Sequence, residues 1–161
     1  MKGNYKIVNK SIIDLDFDKY PAIVLTHVVN NIGKFGAGVS GVIAKKWPSV
    51  LVDYKLFWRQ RALGDDITTF VQNDEPRSIL FIRSMIAQEG IRTQKNYCPL
   101  NYGALMPCME KICESYNWND FVICCPKFGA GLAGGDWGII EDMIKNIWVN
   151  NGVDVIVYDW K

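Results

Sequence analysis

The groups with chemical potential in this chain gather around two copies of one tetrapeptide, Phe35-Gly36-Ala37-Gly38 and Phe128-Gly129-Ala130-Gly131. Each copy follows an apolar run and precedes a helix-like one, so each is expected where a strand hands over to a helix. Such a junction collects unpaired N–H groups and the positive end of the helix dipole, and glycine lets a ligand reach the backbone. That is chemistry for phosphate. Two such loops in one small domain suit two phosphates, or one diphosphate held from both sides. Near the first copy stand His27, Asn30, Asn31 and Lys34; near the second stand Lys127, Asp136 and Trp137. An imidazole at the carboxyl end of a strand serves as general acid or base near neutral pH, or is a buried ring satisfied by hydrogen bonds. The asparagines suit a tight turn or a ribose hydroxyl. Asp136 suits an N-cap and, beside a phosphate, a carboxylate that orients a catalytic group. Lys34 and Lys127 are surface charges or phosphate counter-charges. Phe128 and Trp137 are core residues or walls for a ribose or base.

Two familiar phosphate loops are disfavoured. Gly33-Lys34-Phe35-Gly36-Ala37-Gly38 lacks the Gly-Lys-Ser/Thr ending of a P-loop. Gly36, Gly38 and Gly41 match the Gly-x-Gly-x-x-Gly spacing of dinucleotide sites. The preceding strand ends at Val29, however, too far upstream for the tight first turn, and no acidic residue about twenty positions on ends a second parallel strand.

The elements that must position these loops follow from periodicity. Tyr5–Val8 reads as a short strand, and Ala22–Val29 as a β-branched strand buried on both faces. The first loop spans Asn30–Gly38. Val39–Lys46 is a short helix closed by Trp47-Pro48. Ser49 is expected to cap a helix from Val50 to about Gln60, with Val50, Tyr54 and Phe57 on its apolar side. Ile67–Val71 and Ile79–Ala87 read as strands joined by the turn Gln72–Arg77. After a polar loop, Gln88–Leu100, Asn101 caps a helix to about Tyr116. Phe121–Cys125 is a strand. Asp136 caps a helix from Trp137 to Asn150 that Gly152 ends, and Val153–Tyr158 is the last strand. This alternation predicts an α/β fold with a mixed, largely parallel sheet between helix layers. Ligands bind beyond the carboxyl ends of strands in such sheets, where both glycine loops fall.

At 161 residues the chain is expected to form one domain, residues 1–161, and its 49% hydrophobic and 22% charged content is that of a folded soluble protein. Formal net charge is +1, no Lys/Arg cluster stands out, and a nucleic-acid partner is not expected. Five cysteines without Cys-x-x-Cys spacing, and no signal-like start, read as reduced thiols in a cytoplasmic protein. Cys124 and Cys125 close an apolar run and read as buried hydrophobes rather than nucleophiles. With His27 the single histidine, no metal site is expected. No apolar stretch approaches the length of a bilayer span.

The stretch Val24–Val39, with its Thr26-His27-Val28-Val29-Asn30-Asn31 lead-in, resembles the first ligand loop of macro domains. Phe128–Trp137 resembles their second loop, and Met85-Ile86-Ala87-Gln88 with Gly90-Ile91 resembles the strand end between them. Within that family the chain is most similar to the ADP-ribose 1″-phosphate phosphatases, including versions carried by phages, and the resemblance covers essentially the whole chain. It implies a three-layer α/β/α macro-domain-like sandwich with ADP-ribose in a cleft at the strand ends. Gly36, Ala37, Gly38 and Val39 would then lie around the diphosphate and distal ribose, with Val28, Val29 and Phe35 also among the substrate-binding residues. Phe128, Gly129, Ala130, Gly131 and Leu132 would face the diphosphate from the other side. Lys10, Ser11 and Ile12 match the segment that contacts adenine, with Ser11 where many members have an aspartate. His27 matches a histidine near the reacting phosphate, as general acid/base or nucleophile, with Asn30 beside it and Asp136 supporting the centre. Ala133 stands where the branch that removes ADP-ribose from glutamate has an aspartate. The resemblance thus implies a phosphatase acting on a small ADP-ribose derivative, without cofactor, as a monomer in the cytoplasm (the host's, for a phage protein). Its alternatives are a module that binds ADP-ribose without chemistry, and an ADP-ribosyl hydrolase.

Overall fold

The structure is a computed structural model describing residues 1–160. Its strands are β1 (Tyr5–Val8), β2 (Ala22–Asn30), β3 (Asp66–Asp74), β4 (Arg77–Gln88), β5 (Val122–Pro126) and β6 (Val155–Tyr158). Its helices are α1 (Gly38–Lys46), α2 (Ser49–Phe57), α3 (Tyr102–Cys113) and α4 (Trp137–Met143). The sheet runs β1-β6-β5-β2-β4-β3. All neighbours are parallel except the β3–β4 hairpin. This is the mixed, largely parallel sheet expected from the alternation of elements.

The two faces of β2 divide the core. Val24 and Val28 pack with Leu105, Met109 and Ile112 of α3 and Ile140 of α4. Ile23 and Leu25 pack with Ile43 and Trp47 from α1 and its end and with Val50 of α2. Alternation along one strand therefore feeds two separate apolar layers, which is why its sequence reads as an unbroken β-branched run. The result is a three-layer α/β/α sandwich with β2 and β5 side by side in its middle.

Several boundaries differ from the expectation. Asn30 completes β2 rather than opening the loop. Pro48, not Ser49, takes the N-cap position of α2, because the fixed proline φ of −59° already suits a helical first turn. Phe57 ends α2 at 41% exposure instead of lying on its buried side. The β3–β4 turn is only Glu75-Pro76, since pairing continues to Asp74↔Arg77. The helical path after α4 continues as a π turn, Ile144–Trp148, and a 3-10 turn, Val149–Asn151, before Gly152 ends it at φ 88°. The caps assigned to Asn101 and Asp136 form, accepting from Ala104 N at 3.0 Å and Ile139 N at 3.3 Å.

Candidate functional site

Because β2 and β5 are parallel neighbours, the loops that follow them leave the same edge of the sheet side by side. They meet directly: a Cβ placed on Gly38 would lie 3.3 Å from Leu132 Cδ1. Loop 1 (residues 31–37) leads into α1, whose N-cap Ala37 offers no side-chain acceptor and whose first turn carries no acidic residue. Among the described residues, the N–H groups of Gly36, Ala37, Gly38 and Val39 meet no acceptor. The same holds for Gly129, Gly131, Leu132 and Ala133 in loop 2 (residues 127–135). Unanswered backbone donors on two facing loops, one of them at a helix N-terminus, form an electropositive cleft made without a charged side chain.

Loop 1 is shaped by side chains. Asn30 Oδ1 accepts from Ile32 N at 3.1 Å and Lys34 N at 3.2 Å, while its Nδ2 donates to Lys34 O at 2.6 Å. Tyr54, fully buried in α2, places its hydroxyl 2.8 Å from both Asn30 O and Asn30 Oδ1 and accepts from Gly33 N at 3.1 Å. Burial pushes the Tyr54 phenol up to about 12, so it remains a neutral donor. Lys55 Nζ donates to Gly33 O at 2.7 Å. Gly33 is required where it stands, with φ 76° and a Cβ position only 2.6 Å from the Trp58 ring. Asn31 Oδ1 accepts from Gly90 N at 3.0 Å and ties the loop to the end of β4.

His27 is fully buried and faces the α1–α2 layer, between Ser40 and Ser84. Its Nδ1 lies 2.9 Å from Ser40 Oγ and its Nε2 2.7 Å from Ser84 Oγ. The Ser40 hydroxyl donates to Val28 O at 3.0 Å. With that proton spent, Ser40 can only accept, so His27 carries its hydrogen on Nδ1 and accepts from Ser84 at Nε2. Burial lowers the imidazole to about 3, which keeps it neutral. A ring with both nitrogens occupied and no exposed surface does not fit the expected roles of nucleophile or general acid/base. The burial of β2 on both faces explains why: a side chain at position 27 has no solvent side, whichever face it takes.

The other expected site residues divide similarly. Asn30 is 8% exposed with both amide atoms engaged inside the loop, so it shapes the site instead of reaching into it. Val28 and Val29 are core residues. Phe35 is half-buried, its ring 5.0 Å from that of Tyr54. Phe128 is fully buried against Trp148, so its ring is not a wall of the cleft. Gly36, Ala37, Gly38, Gly131 and Leu132 are exposed at the cleft, with Val39 and Ala130 half-buried. Asp136 is exposed and occupied as the α4 cap, with its own N–H donated to Tyr102 Oη at 2.8 Å. Lys127 pairs with Asp159 at 3.1 Å and lies over the Trp137 ring, whereas Lys34 is exposed. In the segment assigned to adenine, Lys10 is exposed and Ser11 half-buried, but the Ile12 side chain is core. Ala133 is buried, its carbonyl accepting from Leu100 N at 3.1 Å. Ser40, Ser84, Tyr54 and Trp58 support the site without any motif to announce them; only Tyr54, on the apolar side of α2, was predictable as buried.

The cysteines are all free thiols, and burial pushes Cys124 up to about 12, far from a thiolate nucleophile. Among the described residues no group of three His, Cys, Asp or Glu side chains could hold a metal, and no helix is long and apolar enough to cross a membrane.

No family model matches the chain. It is 26% identical over 151 residues to an uncharacterized 17.5 kDa protein of Enterobacteria phage T4, covering 85% of this chain and 86% of that one. A macrodomain protein of Streptomyces coelicolor superposes with a TM-score of 0.74 at 24% identity, over 98% of this chain and 99% of the other. The Thermosipho africanus DarTG protein, solved in complex with ADP-ribose, superposes with a TM-score of 0.71 at 16% identity, over 97% of this chain and 41% of its own length. The paired-loop sandwich described above is therefore the macrodomain fold.

Proposed function

We propose that this protein binds ADP-ribose, or a ligand built on it, with the diphosphate lying between loop 1 and loop 2. The observation that carries this reading is the pair of facing N–H sets, Gly36–Val39 and Gly129 with Gly131–Ala133, which meet no acceptor among the described residues. Phosphate oxygens answer such donors at a helix N-terminus, where charge and hydrogen bonds act together. The ADP-ribose complex of the Thermosipho africanus protein, which shares this fold, supports the choice of ligand. Calorimetry with ADP-ribose and with AMP tests it: both phosphates and the distal ribose should be needed for tight binding. Equal affinity for AMP would overturn the diphosphate cleft.

Hydrolysis of ADP-ribose 1″-phosphate is the second reading, favoured by the uncapped start of α1. In that reaction water attacks phosphorus, the bond to the 1″ oxygen breaks, and ADP-ribose and inorganic phosphate leave. Backbone donors aimed at the phosphate would stabilise the developing charge. His27 would act only by holding α1 to β2 through Ser40 and Val28. Phosphate release from ADP-ribose 1″-phosphate decides the matter, and binding without release leaves a binding module. The ADP-ribosyl hydrolase reading is disfavoured by the apolar, buried Ala133.

A further inference from the structure

The chain-wide charge of +1 conceals a strong asymmetry. Residues 30–63 carry six cations, Lys34, Lys45, Lys46, Lys55, Arg59 and Arg61, against the single carboxylate of Asp53. Residues 101–161 carry four lysines against eight carboxylates. The first stretch forms loop 1, α1 and α2 on one face of the sheet, and the second supplies α3 and α4 on the other. All six cations are exposed, and none joins the ion pairs formed by the described residues. Asp53 is engaged by the Thr69 hydroxyl at 2.7 Å. The cations are dispersed in sequence and share one layer in the fold, together with Asp14, Asp16 and Asp18 of the segment whose Ile13, Leu15 and Phe17 pack into the same core.

Part of this face adjoins the cleft. Lys34 belongs to loop 1, and Lys55 is bonded to Gly33. Arg59 stands over the Trp58 ring at 5.3 Å, and that ring packs beneath Gly33. Arg61 stands over the Phe57 ring at 5.4 Å. The Trp58 ring holds the Arg59 guanidinium, whose donors meet no protein acceptor among the described residues, whereas Arg61 donates from Nε to Asp66 O at 3.4 Å and lies beside Asp65, leaving its terminal nitrogens for a phosphate. Phe57 is 41% exposed and Trp58 half-buried, so ring edges and cations are presented together. Cations answer phosphates and aromatic surface answers unpaired bases, which is the combination that single-stranded nucleic acid uses. We propose that the surface formed by loop 1, the end of α2 and the turn that follows it, carried by Lys34, Lys55, Arg59 and Arg61, binds a nucleic-acid strand. The rival occupant is an acidic amphipathic helix of another protein, which would use the exposed Leu51, Val52 and Leu56 of the same helix.

Fluorescence anisotropy with a labelled oligodeoxythymidylate of about twelve nucleotides separates the two. Four phosphate contacts on a single strand predict a log–log salt slope near −3, hence roughly fifty-fold weaker binding between about 50 and about 200 mM salt. The double variant Arg59→Ser/Arg61→Ser should bring the slope to about −1.5 while ADP-ribose affinity is unchanged. Lys2→Ser/Lys95→Ser removes the same charge from exposed positions outside this surface and should leave the slope as it is. Oligonucleotide binding that is absent at low salt, equal slopes in the two double variants, or tighter binding of poly-glutamate than of the oligonucleotide would each overturn the proposal. ADP-ribose binding is read separately, so this surface and the cleft fail independently.

Discussion

The two loops share a tetrapeptide and little else. Loop 1 is held by side chains from elsewhere in the fold: Asn30 at the end of β2, Tyr54 and Lys55 of α2, and the Trp58 ring beneath Gly33. Loop 2 is held by backbone bonds, with Gly135 N donating to Gly129 O at 2.7 Å, Gly134 N to Gly131 O at 3.0 Å and Leu100 N to Ala133 O at 3.1 Å. Phe128 anchors it in the core. The helices that follow differ in the same sense, since α1 starts without a cap and α4 starts with the Asp136 carboxylate. Identical residues thus serve unlike ends of a cleft. Loop 1 leaves its helix charge for the ligand, whereas the charge at α4 is already answered.

The largest test of this contrast removes the side chain that shapes loop 1. Asn30→Ala deletes its amide's contacts with Ile32, Lys34 and Tyr54, the bonds that close the turn of loop 1, while Tyr54 keeps its bond to Asn30 O. Destabilisation of about 2–4 kcal/mol is expected in urea unfolding, with ADP-ribose affinity falling at least about tenfold. No polar side chain of loop 2 should match it, since Phe128 contributes there through core packing alone. A smaller loss from Asn30→Ala than from Asp136→Ala would erase the distinction between the loops.

The next effect is carried by pH. His27 titrates near 6.5 when unfolded and is lowered to about 3 in the fold by burial. Below about 6.5 the unfolded chain therefore binds a proton that the native protein refuses, and stability falls as pH drops. The contribution is fully present above that value. It is lost progressively toward pH 3, by about 2 kcal/mol between pH 6.5 and pH 5. His27→Gln offers an amide to Ser40 and Ser84 and should flatten this slope, whatever its cost at neutral pH. An unchanged pH dependence of unfolding would show that His27 is not held neutral between the serines.

These contrasts also mark how far the residues alone could be read. The repeated tetrapeptide, the strands before it and the Asp136 cap were legible because glycine, β-branching and capping act over neighbouring positions. The placement of both loops at one edge followed from the alternation of strands and helices. What supports loop 1 was not legible. Tyr54 lies 24 positions from Asn30, and Ser84 lies 57 positions from His27. Such partners are set by strand order, which local pattern does not encode. His27 shows the cost of this: its position at a strand end suggested chemistry, but the side of the strand it occupies, with Ser84 opposite on β4, makes it a brace.

Asp136→Ala should cost about 1 kcal/mol, the usual loss of an N-cap, and would make α4 resemble α1. Asp136→Ser separates cap from charge. A hydroxyl still accepts from Ile139 N, so stability should stay within about 0.5 kcal/mol, while removal of a negative charge beside the cleft should raise ADP-ribose affinity a few-fold. Affinity that falls in Asp136→Ser, with stability retained, would make the carboxylate a ligand-recognition group and bring the two loops closer in function.

The smallest expected change in stability is the sharpest probe of where the ligand lies. A Cβ on Gly131 would meet nothing within 4 Å, and Gly131 does not have the positive φ that disfavours other residues. A Cβ on Gly36 would also meet nothing, but Gly36 holds φ 115°. Gly131→Ala should therefore fold within about 0.5 kcal/mol of the parent, because neither packing nor backbone opposes the methyl group. Gly36→Ala should lose stability and affinity together, because loop 1 must change its backbone to accept it. If a diphosphate lies against the N–H of Gly131, the added methyl group crowds it, and ADP-ribose affinity falls in a protein of unaltered stability. Parent-like affinity in Gly131→Ala would place the ligand on loop 1 alone and reduce loop 2 to a cover.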